Sequence, residues 1–177
     1  MAKSEFMTPH QVLAANGKSF DWARRFLGKR MGDHAATLYR FCRVLDDFAD
    51  GDIPDGQRRL LTIRDDLSAE RRATDKLLAD FQTFIHQKNL PVRVIIALID
   101  GLLQDQKLVR IADERALRRY AYQVAGTVGL LMCHVLDCDD DAARAHAIDL
   151  GIAMQLTNIA RDVLEDAEMG RRYLPAT

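Results

Sequence analysis

The chain has few residues that break helices. Four prolines and ten glycines among 177 residues leave long stretches free of them. No stretch alternates strictly between apolar and polar residues with β-branched side chains, so no sheet is predicted. The sequence therefore predicts an all-α fold with short connections, in a single domain over residues 1–177.

The helix boundaries follow from the breaks that do occur. Thr8, Pro9 and Gln11 have the types and spacing of a capped helix start. GDIPDG at 51–56 and DCDDD at 137–141 are typical of loops. The other predicted helices cover residues 20–27, 32–50, 57–71, 75–87, 91–107, 113–136 and 142–167.

Other absences exclude whole classes of protein. A net charge of −1 gives no positive excess to neutralise a phosphate backbone, so no nucleic-acid partner is expected. The longest aliphatic runs, such as VIIALI at 94–99, are far shorter than the roughly 20 residues that span a bilayer. MAKSEFMTPH at the start does not resemble a secretory signal. Three cysteines in no zinc-binding spacing indicate reduced thiols and a cytoplasmic protein.

Aspartates interrupt an otherwise apolar stretch, RFCRVLDDFAD at 40–50. At about 100° per residue, one narrow stripe of the predicted helix carries Tyr39, Arg43, Asp46 and Asp50. The two acids of this stripe are one helical turn apart and repel each other. A bound cation is the simplest group that offsets the repulsion, and a solvated helix face is the alternative.

A second stretch, QLTNIARDVLED at 155–166, repeats this arrangement. Its stripe carries Gln155, Asn158, Asp162 and Asp166. If the two helices face each other across a cavity, their oxygen ligands select Mg²⁺ or Mn²⁺ over zinc. Four arginines lie close in sequence to these acids and can bind phosphates through charge-assisted contacts: Arg43, Arg161, Arg171 and Arg172.

Four segments resemble, in order, the squalene/phytoene synthase family of head-to-head prenyl synthases. They are KSFDWARRFL (18–27), LYRFCRVLDDFAD (38–50), YAYQVAGTVGLL (120–131) and QLTNIARDVLEDAEMGRRYLP (155–175). The resemblance implies an isoprenoid-synthase helical bundle around a central apolar cavity. It also implies two aspartate-rich motifs at the cavity mouth that bind Mg²⁺, or Mn²⁺, and diphosphate.

The resemblance assigns roles to individual positions. The implied metal ligands are Asp46, Asp50, Asn158, Asp162 and Asp166. The implied catalytic residues are Asp46, Asp50, Asp162, Asp166, Arg43 and Tyr39. The implied substrate contacts are Lys18, Ser19, Phe20, Tyr120, Val128, Gly129, Gln155, Arg161, Arg171 and Tyr173. Asp105 resembles a family position without a clear role, and the small residues at 125–129 either approach a prenyl tail or pack two helices closely.

The implied reaction joins two molecules of farnesyl or geranylgeranyl diphosphate head to head. One substrate ionises, a cyclopropylcarbinyl diphosphate forms, and a second ionisation leads to the linear product. We favour the phytoene-type reaction, with squalene or dehydrosqualene formation next, and NADPH is expected only if squalene forms. Because such substrates are greasy, peripheral contact with the inner face of the membrane is compatible with this assignment.

Two departures and two alternatives accompany the resemblance. Asn16 and Gly17 stand where the family often has His-Ser. Family members usually continue past the final motif, so the chain is expected to lack the C-terminal third of the fold. DDFAD at 46–50 also fits chain-elongating prenyl synthases and terpene cyclases. The other alternative is a non-catalytic assembly protein on the same fold.

Overall fold

The chain folds into helices packed around one apolar core. The computed structural model describes residues 4–106 and 109–176, and within these ranges it contains ten α-helices and no strand. Their bounds are α1 Pro9–Asn16, α2 Lys18–Arg24, α3 Gly28–Ala49, α4 Gly56–Ser68, α5 Lys76–Gln87, α6 Val92–Asp105, α7 Glu114–Ala121, α8 Thr127–Val135, α9 Asp141–Arg161 and α10 Val163–Glu168. The predicted all-α class is confirmed.

The first predicted helix start is confirmed in detail. Thr8 N–H donates to Oε1 of Gln11 over 2.9 Å, and Gln11 N–H donates to the Thr8 hydroxyl oxygen over 3.4 Å. Pro9 is the first residue of α1, where its missing N–H removes no helical hydrogen bond. The other predicted boundaries lie within a few residues of the observed ones, except that α3 begins at Gly28 rather than residue 32. The predicted end at Lys107 lies outside the described residues.

Helix α3 is the centre of the fold. One of its faces is buried in the core, where Leu38, Val44 and Leu45 are wholly inaccessible. The ring of Phe41 stacks on that of Phe81 from α5, with 3.9 Å between centroids. Burial of each such side chain contributes about 1.5–3 kcal/mol. Since this face fixes the helix, the polar stripe on its other side is held on a rigid support.

Two predicted helices are divided in the structure. The one over 113–136 contains a π-helical segment, Tyr122–Gly126, between α7 and α8. The one over 142–167 ends at Arg161 and resumes at Val163, because Asp162 leaves the helical region with φ −100° and ψ 19°. The Asp162 carboxylate turns to the adjacent Arg161 guanidinium, 2.6 Å away. The expectation of one continuous helix through the second acidic motif is therefore wrong.

Helices α9 and α10 lie at the edge of the described fold. Ile159 is the sole buried residue of α9 in this structure, whereas Leu150, Met154 and Leu164 are exposed. Among residues 4–106 and 109–176, no helix combines the length and apolarity needed to cross a membrane.

Candidate active site

An apolar cavity of about 440 Å³ lies between α2, α3, α6, α8 and α9. Its polar lining is confined to a few side chains: Arg24, Tyr39, Arg43, Asp46 and Gln155. Its apolar lining includes Phe20, Leu38, Leu98, Leu102, Val128 and Met132. The structure thus brings six of the residues singled out by sequence into one cavity: Phe20, Tyr39, Arg43, Asp46, Val128 and Gln155.

Arg43 is held in a fork between two acids of α3. One terminal nitrogen lies 2.8 Å from Asp46 Oδ2, and the other lies 2.7 Å from Asp47 Oδ1. Asp47 is buried, and its second oxygen accepts a hydrogen bond from the Ser4 hydroxyl. Asp47 therefore orients the arginine from the core side. Sequence analysis did not single it out, although its position four residues after Arg43 was a usable signal.

The surroundings of Asp46 disfavour the negative charge of its carboxylate. Its side chain keeps 43% of its surface accessible to the cavity, yet protein surrounds the carboxylate on most sides. This loss of hydration, followed by the charge of Asp50 one turn away, raises the pKa of Asp46 to about 6. Arg43 opposes the shift without cancelling it. The first acidic pair therefore keeps a repulsion that Arg43 only partly offsets, and this repulsion favours a cation.

Asp105, at the end of α6, accepts hydrogen bonds from two tyrosines. The Tyr120 hydroxyl donates to Oδ2 over 2.7 Å, and the Tyr173 hydroxyl donates to Oδ1 over 2.9 Å. The two rings stack at 5.0 Å between centroids. Burial raises the pKa of Asp105, while both hydroxyls lower it. Sequence analysis left Asp105 without a role, and the structure makes it the common partner of two predicted substrate-site tyrosines.

Arg171 links the two acidic motifs. Its guanidinium lies 3.7 Å from Asp50 Oδ1, and its backbone N–H donates to the Asp166 carbonyl over 2.7 Å. Gly170, with φ +73°, makes the turn between α10 and this arginine. The guanidinium charge also lowers the pKa of Asp105 and of Asp166 against larger effects of burial. The positive charge of Arg171 thus lies near both acidic motifs.

The second acidic motif is more open than the first. Asn158 is exposed, and Asp162 is paired with Arg161. Asp166 lines a separate cavity of about 290 Å³ together with Arg171 and Tyr173. Partial burial and the charge of Asp162 raise the pKa of Asp166. In the described part of the chain, no three acidic, histidine or cysteine side chains come close enough to hold one metal ion.

Several predicted substrate contacts lie away from the cavity. Lys18 and Ser19 are exposed on α2, and Arg161 points to solvent beside Asp162. A Cβ added to Gly129 would lie 2.2 Å from the Ala147 carbonyl oxygen of α9. Of the two interpretations of the small residues at 125–129, the structure therefore supports close helix packing at Gly129, while its neighbour Val128 faces the cavity.

Comparisons with known proteins place these features in context. Residues 13–177 match the family profile described as squalene/phytoene synthase. The chain is 34% identical over 183 residues to 15-cis-phytoene synthase of a Paracoccus species, covering 96% of this chain and 59% of the relative. It is 39% identical over 171 residues to presqualene diphosphate synthase of Rhodopseudomonas palustris, covering 94% and 61%.

A solved structure agrees with these relatives. A dehydrosqualene synthase in complex with a ligand superposes with a TM-score of 0.77 at 30% identity. The match covers 94% of this chain and 59% of that chain. The chain therefore spans about three fifths of the length of the proteins that it matches.

Proposed function

Because the chain belongs to the squalene/phytoene synthase family, we propose that it joins two prenyl diphosphates head to head. The observation that carries the proposal is that the lining of the 440 Å³ cavity combines a mostly apolar surface with a polar stripe of α3 formed by Tyr39, Arg43 and Asp46. A prenyl diphosphate has the same division, with a hydrocarbon tail and an anionic head. The tail fits the apolar lining, and the head fits the polar stripe.

The acids of α3 and its C-terminal end suit a divalent cation. Mg²⁺ needs only one or two protein carboxylates and completes its coordination with water and phosphate oxygens, so a cluster of three acids is not required. Asp46 and Asp50 supply such a pair, and a cation would offset the repulsion that remains between them. Bound there, Mg²⁺ or Mn²⁺ would stabilise the negative charge that develops on departing diphosphate.

The arginines assist the same departure. The contacts with Asp46 and Asp47 hold Arg43 in the cavity lining, where its guanidinium can bind a diphosphate oxygen. Arg171, 3.7 Å from Asp50, offers a second cationic contact beside the acidic pair. Both groups act most strongly as negative charge builds up on the leaving group.

The cavity interior protects the carbocation that remains. Water would quench it, and the aliphatic lining from Leu38, Leu98 and Leu102 keeps water away. The rings of Phe20 and Tyr39, 6.2 Å apart, line the wall and present faces that attract a cation. The double bond of a second substrate then attacks, and loss of a proton closes a cyclopropane ring that still carries the second diphosphate. That diphosphate leaves in the second ionisation, which leads to the linear product.

We propose the phytoene-type product first and a squalene-type product second. Relatives named for phytoene and for presqualene diphosphate match the chain at similar identity. Farnesyl and geranylgeranyl diphosphate are the candidate substrates, and NADPH would be consumed only in squalene formation.

Product analysis tests this proposal. The chain is incubated with Mg²⁺ and either substrate, with and without NADPH, and the hydrocarbon is identified by mass spectrometry. Asp46→Asn serves as the inactive control. A longer diphosphate formed only with added isopentenyl diphosphate would instead assign chain elongation. No product, together with no thermal stabilisation by Mg²⁺ and a non-hydrolysable prenyl diphosphate, would favour the non-catalytic assembly protein.

A further inference from the structure

A single 3₁₀ turn, Ser4–Phe6, is fastened to α3 and α4 by side chains of both helices. The guanidinium of Arg40, on α3, donates to the Glu5 carbonyl over 2.7 Å and to the Met7 carbonyl over 2.9 Å. The Glu5 carboxylate lies 2.7 Å from the guanidinium of Arg59, on α4. Both the backbone and a side chain of the turn are thereby held in place.

This attachment brings the Ser4 hydroxyl to a buried carboxylate of α3. Ser4 and Asp47 are 5% and 6% exposed, and the Ser4 hydroxyl donates to Asp47 Oδ2. The other carboxylate oxygen, Oδ1, lies 2.7 Å from a terminal nitrogen of Arg43. Within the residues that the structure describes, these are the two side-chain partners of the Asp47 carboxylate. One oxygen thus bonds to the 3₁₀ turn, and the other bonds to a residue of the cavity lining.

The separate partners of the two oxygens determine how Arg43 is shared between acids. A guanidinium pairs most strongly with a carboxylate through two parallel hydrogen bonds, which use both carboxylate oxygens. Because the Ser4 hydroxyl already uses Oδ2, Asp47 contacts only one terminal nitrogen of Arg43. The other terminal nitrogen lies 2.8 Å from Asp46 Oδ2, in the lining of the 440 Å³ cavity. The Ser4 hydroxyl therefore favours the arrangement in which the guanidinium reaches from Asp47 to the cavity.

We propose that Ser4 is a positioning residue for diphosphate binding and that it acts through Asp47 on Arg43. The inference rests on the proposed function, in which the Arg43 guanidinium binds a diphosphate oxygen. Without the Ser4 hydroxyl, both oxygens of Asp47 are free to pair with Arg43, and this pairing draws the guanidinium away from the diphosphate. Since Ser4 precedes Asp47 by 43 residues, the acidic motif by itself does not contain the group that sets the position of its arginine.

Inorganic pyrophosphate is a suitable probe, because it carries the anionic group of the substrate without a prenyl tail. Its affinity for the full chain is measured by titration calorimetry at a fixed Mg²⁺ concentration. We expect Ser4→Ala to bind pyrophosphate roughly tenfold more weakly than the original, the loss that accompanies the weakening of one hydrogen bond to a charged group. Ser4→Thr, which keeps the hydroxyl, should retain the original affinity.

A double variant tests whether the effect passes through Arg43. In an Arg43→Gln background, Ser4→Ala should cause no further loss of pyrophosphate affinity, because the side chain through which Ser4 acts is already gone. A tenfold loss that persists in that background would overturn the proposed route.

Thr74→Val is the matched control, because it removes the same kind of bond elsewhere. The Thr74 hydroxyl donates to the Asp66 carboxylate over 2.6 Å, and neither residue lines the cavity. This variant should melt at a lower temperature and keep its pyrophosphate affinity. Equal affinity in Ser4→Ala and the original, or an equal loss in Thr74→Val, would overturn this inference alone. An original chain that binds no pyrophosphate would overturn the proposed diphosphate site together with it.

Discussion

The hydroxyl of Tyr173 donates a hydrogen bond over 2.9 Å to a carboxylate oxygen of Asp105, 68 residues earlier in the chain. Backbone pairs reinforce this link, because Arg172 N–H donates to the Val109 carbonyl and Ile111 N–H donates to the Arg172 carbonyl, both over 3.1 Å. The segment after α10 is thereby fastened beside the end of α6. Its attachment brings Arg171 to Asp50.

Asp105→Ala should loosen this attachment. The change removes the acceptor that the buried hydroxyls of Tyr120 and Tyr173 share, and a hydroxyl left unpaired costs about 1–3 kcal/mol. We expect lower stability in urea unfolding and faster hydrogen exchange at the amides of Ile111 and Arg172. Tyr173→Phe is the matched control, with a smaller loss because the Tyr120 bond remains. Unchanged exchange at both amides in Asp105→Ala would show that the backbone pairs alone hold the segment.

Asp46→Asn should stabilise the metal-free protein. The raised pKa of Asp46 means that the fold disfavours its charge, and removal of that charge relieves the repulsion with Asp50. Because the side chain is partly exposed, we expect a gain of only about 1 kcal/mol, or roughly 3 °C in melting temperature. Stabilisation by Mg²⁺ should disappear in the same variant. Asp149→Asn, at an exposed position of α9, should change neither property, and Mg²⁺ stabilisation retained in Asp46→Asn would remove Asp46 from the metal site.

Gly129→Ala should force α8 and α9 apart. The new methyl group would overlap the Ala147 carbonyl oxygen, a backbone atom that can move only with its helix. We expect a loss of about 1–3 kcal/mol in unfolding free energy, with weaker ligand binding because Gln155 shifts away from the cavity. Gly32→Ala is the matched control, because its methyl group first meets the flexible side chain of Arg24. Equal stability of the two variants would contradict the packing role of Gly129.

Asp66 should make stability depend on acid pH. The Thr74 hydroxyl and N–H donate to its carboxylate over 2.6 and 2.8 Å, and they hold the pKa of this buried group below its usual value. As pH falls, the unfolded chain takes up this proton before the fold does. The resulting stability is therefore present above about pH 4 and is lost as pH falls through the lower pKa of the folded state.

Asp66→Asn tests this dependence. We expect the variant to be about 1 kcal/mol less stable than the original at pH 7, since a neutral acceptor is weaker than a charged one, and nearly equal to it at acid pH. Urea unfolding at both pH values gives the comparison. Asp65→Asn, its exposed neighbour, should show little difference at either pH. A deficit that stayed constant across pH would mean that charge is not its cause.

Local periodicity was enough to predict that three of the candidate residues lie together. Tyr39, Arg43 and Asp46 lie in one cavity because α3 is a regular helix of 22 residues, in which the angular position of each side chain follows from its number. The order of the four motifs likewise pointed to the family. These features depend on residues that are near one another in sequence.

Features set by tertiary packing were not predictable in this way. Nothing in the spacing of Asp105, Tyr120 and Tyr173 shows that one carboxylate serves both hydroxyls, because the packing of distant segments decides it. The break at Asp162 was also missed, since the surrounding residues continue a helical pattern and the competing contact is a side-chain pair with Arg161. The exposure of Lys18 and Ser19 on α2 could not be predicted either, because a motif gives residue types but not the orientation of a short helix.

The π-helical segment Tyr122–Gly126 determines which side chains of α8 face the cavity and which face α9. A π turn closes its hydrogen bond over one residue more than an α turn, so every later side chain is rotated by about 100° around the helix axis. With this offset, Val128 reaches the hydrocarbon-lined space and Gly129 meets α9. If the same residues formed an ordinary α-helix, Val128 would take the place of Gly129 against the α9 backbone. The π turn thus lets α8 line the cavity with one face and pack closely against α9 with another.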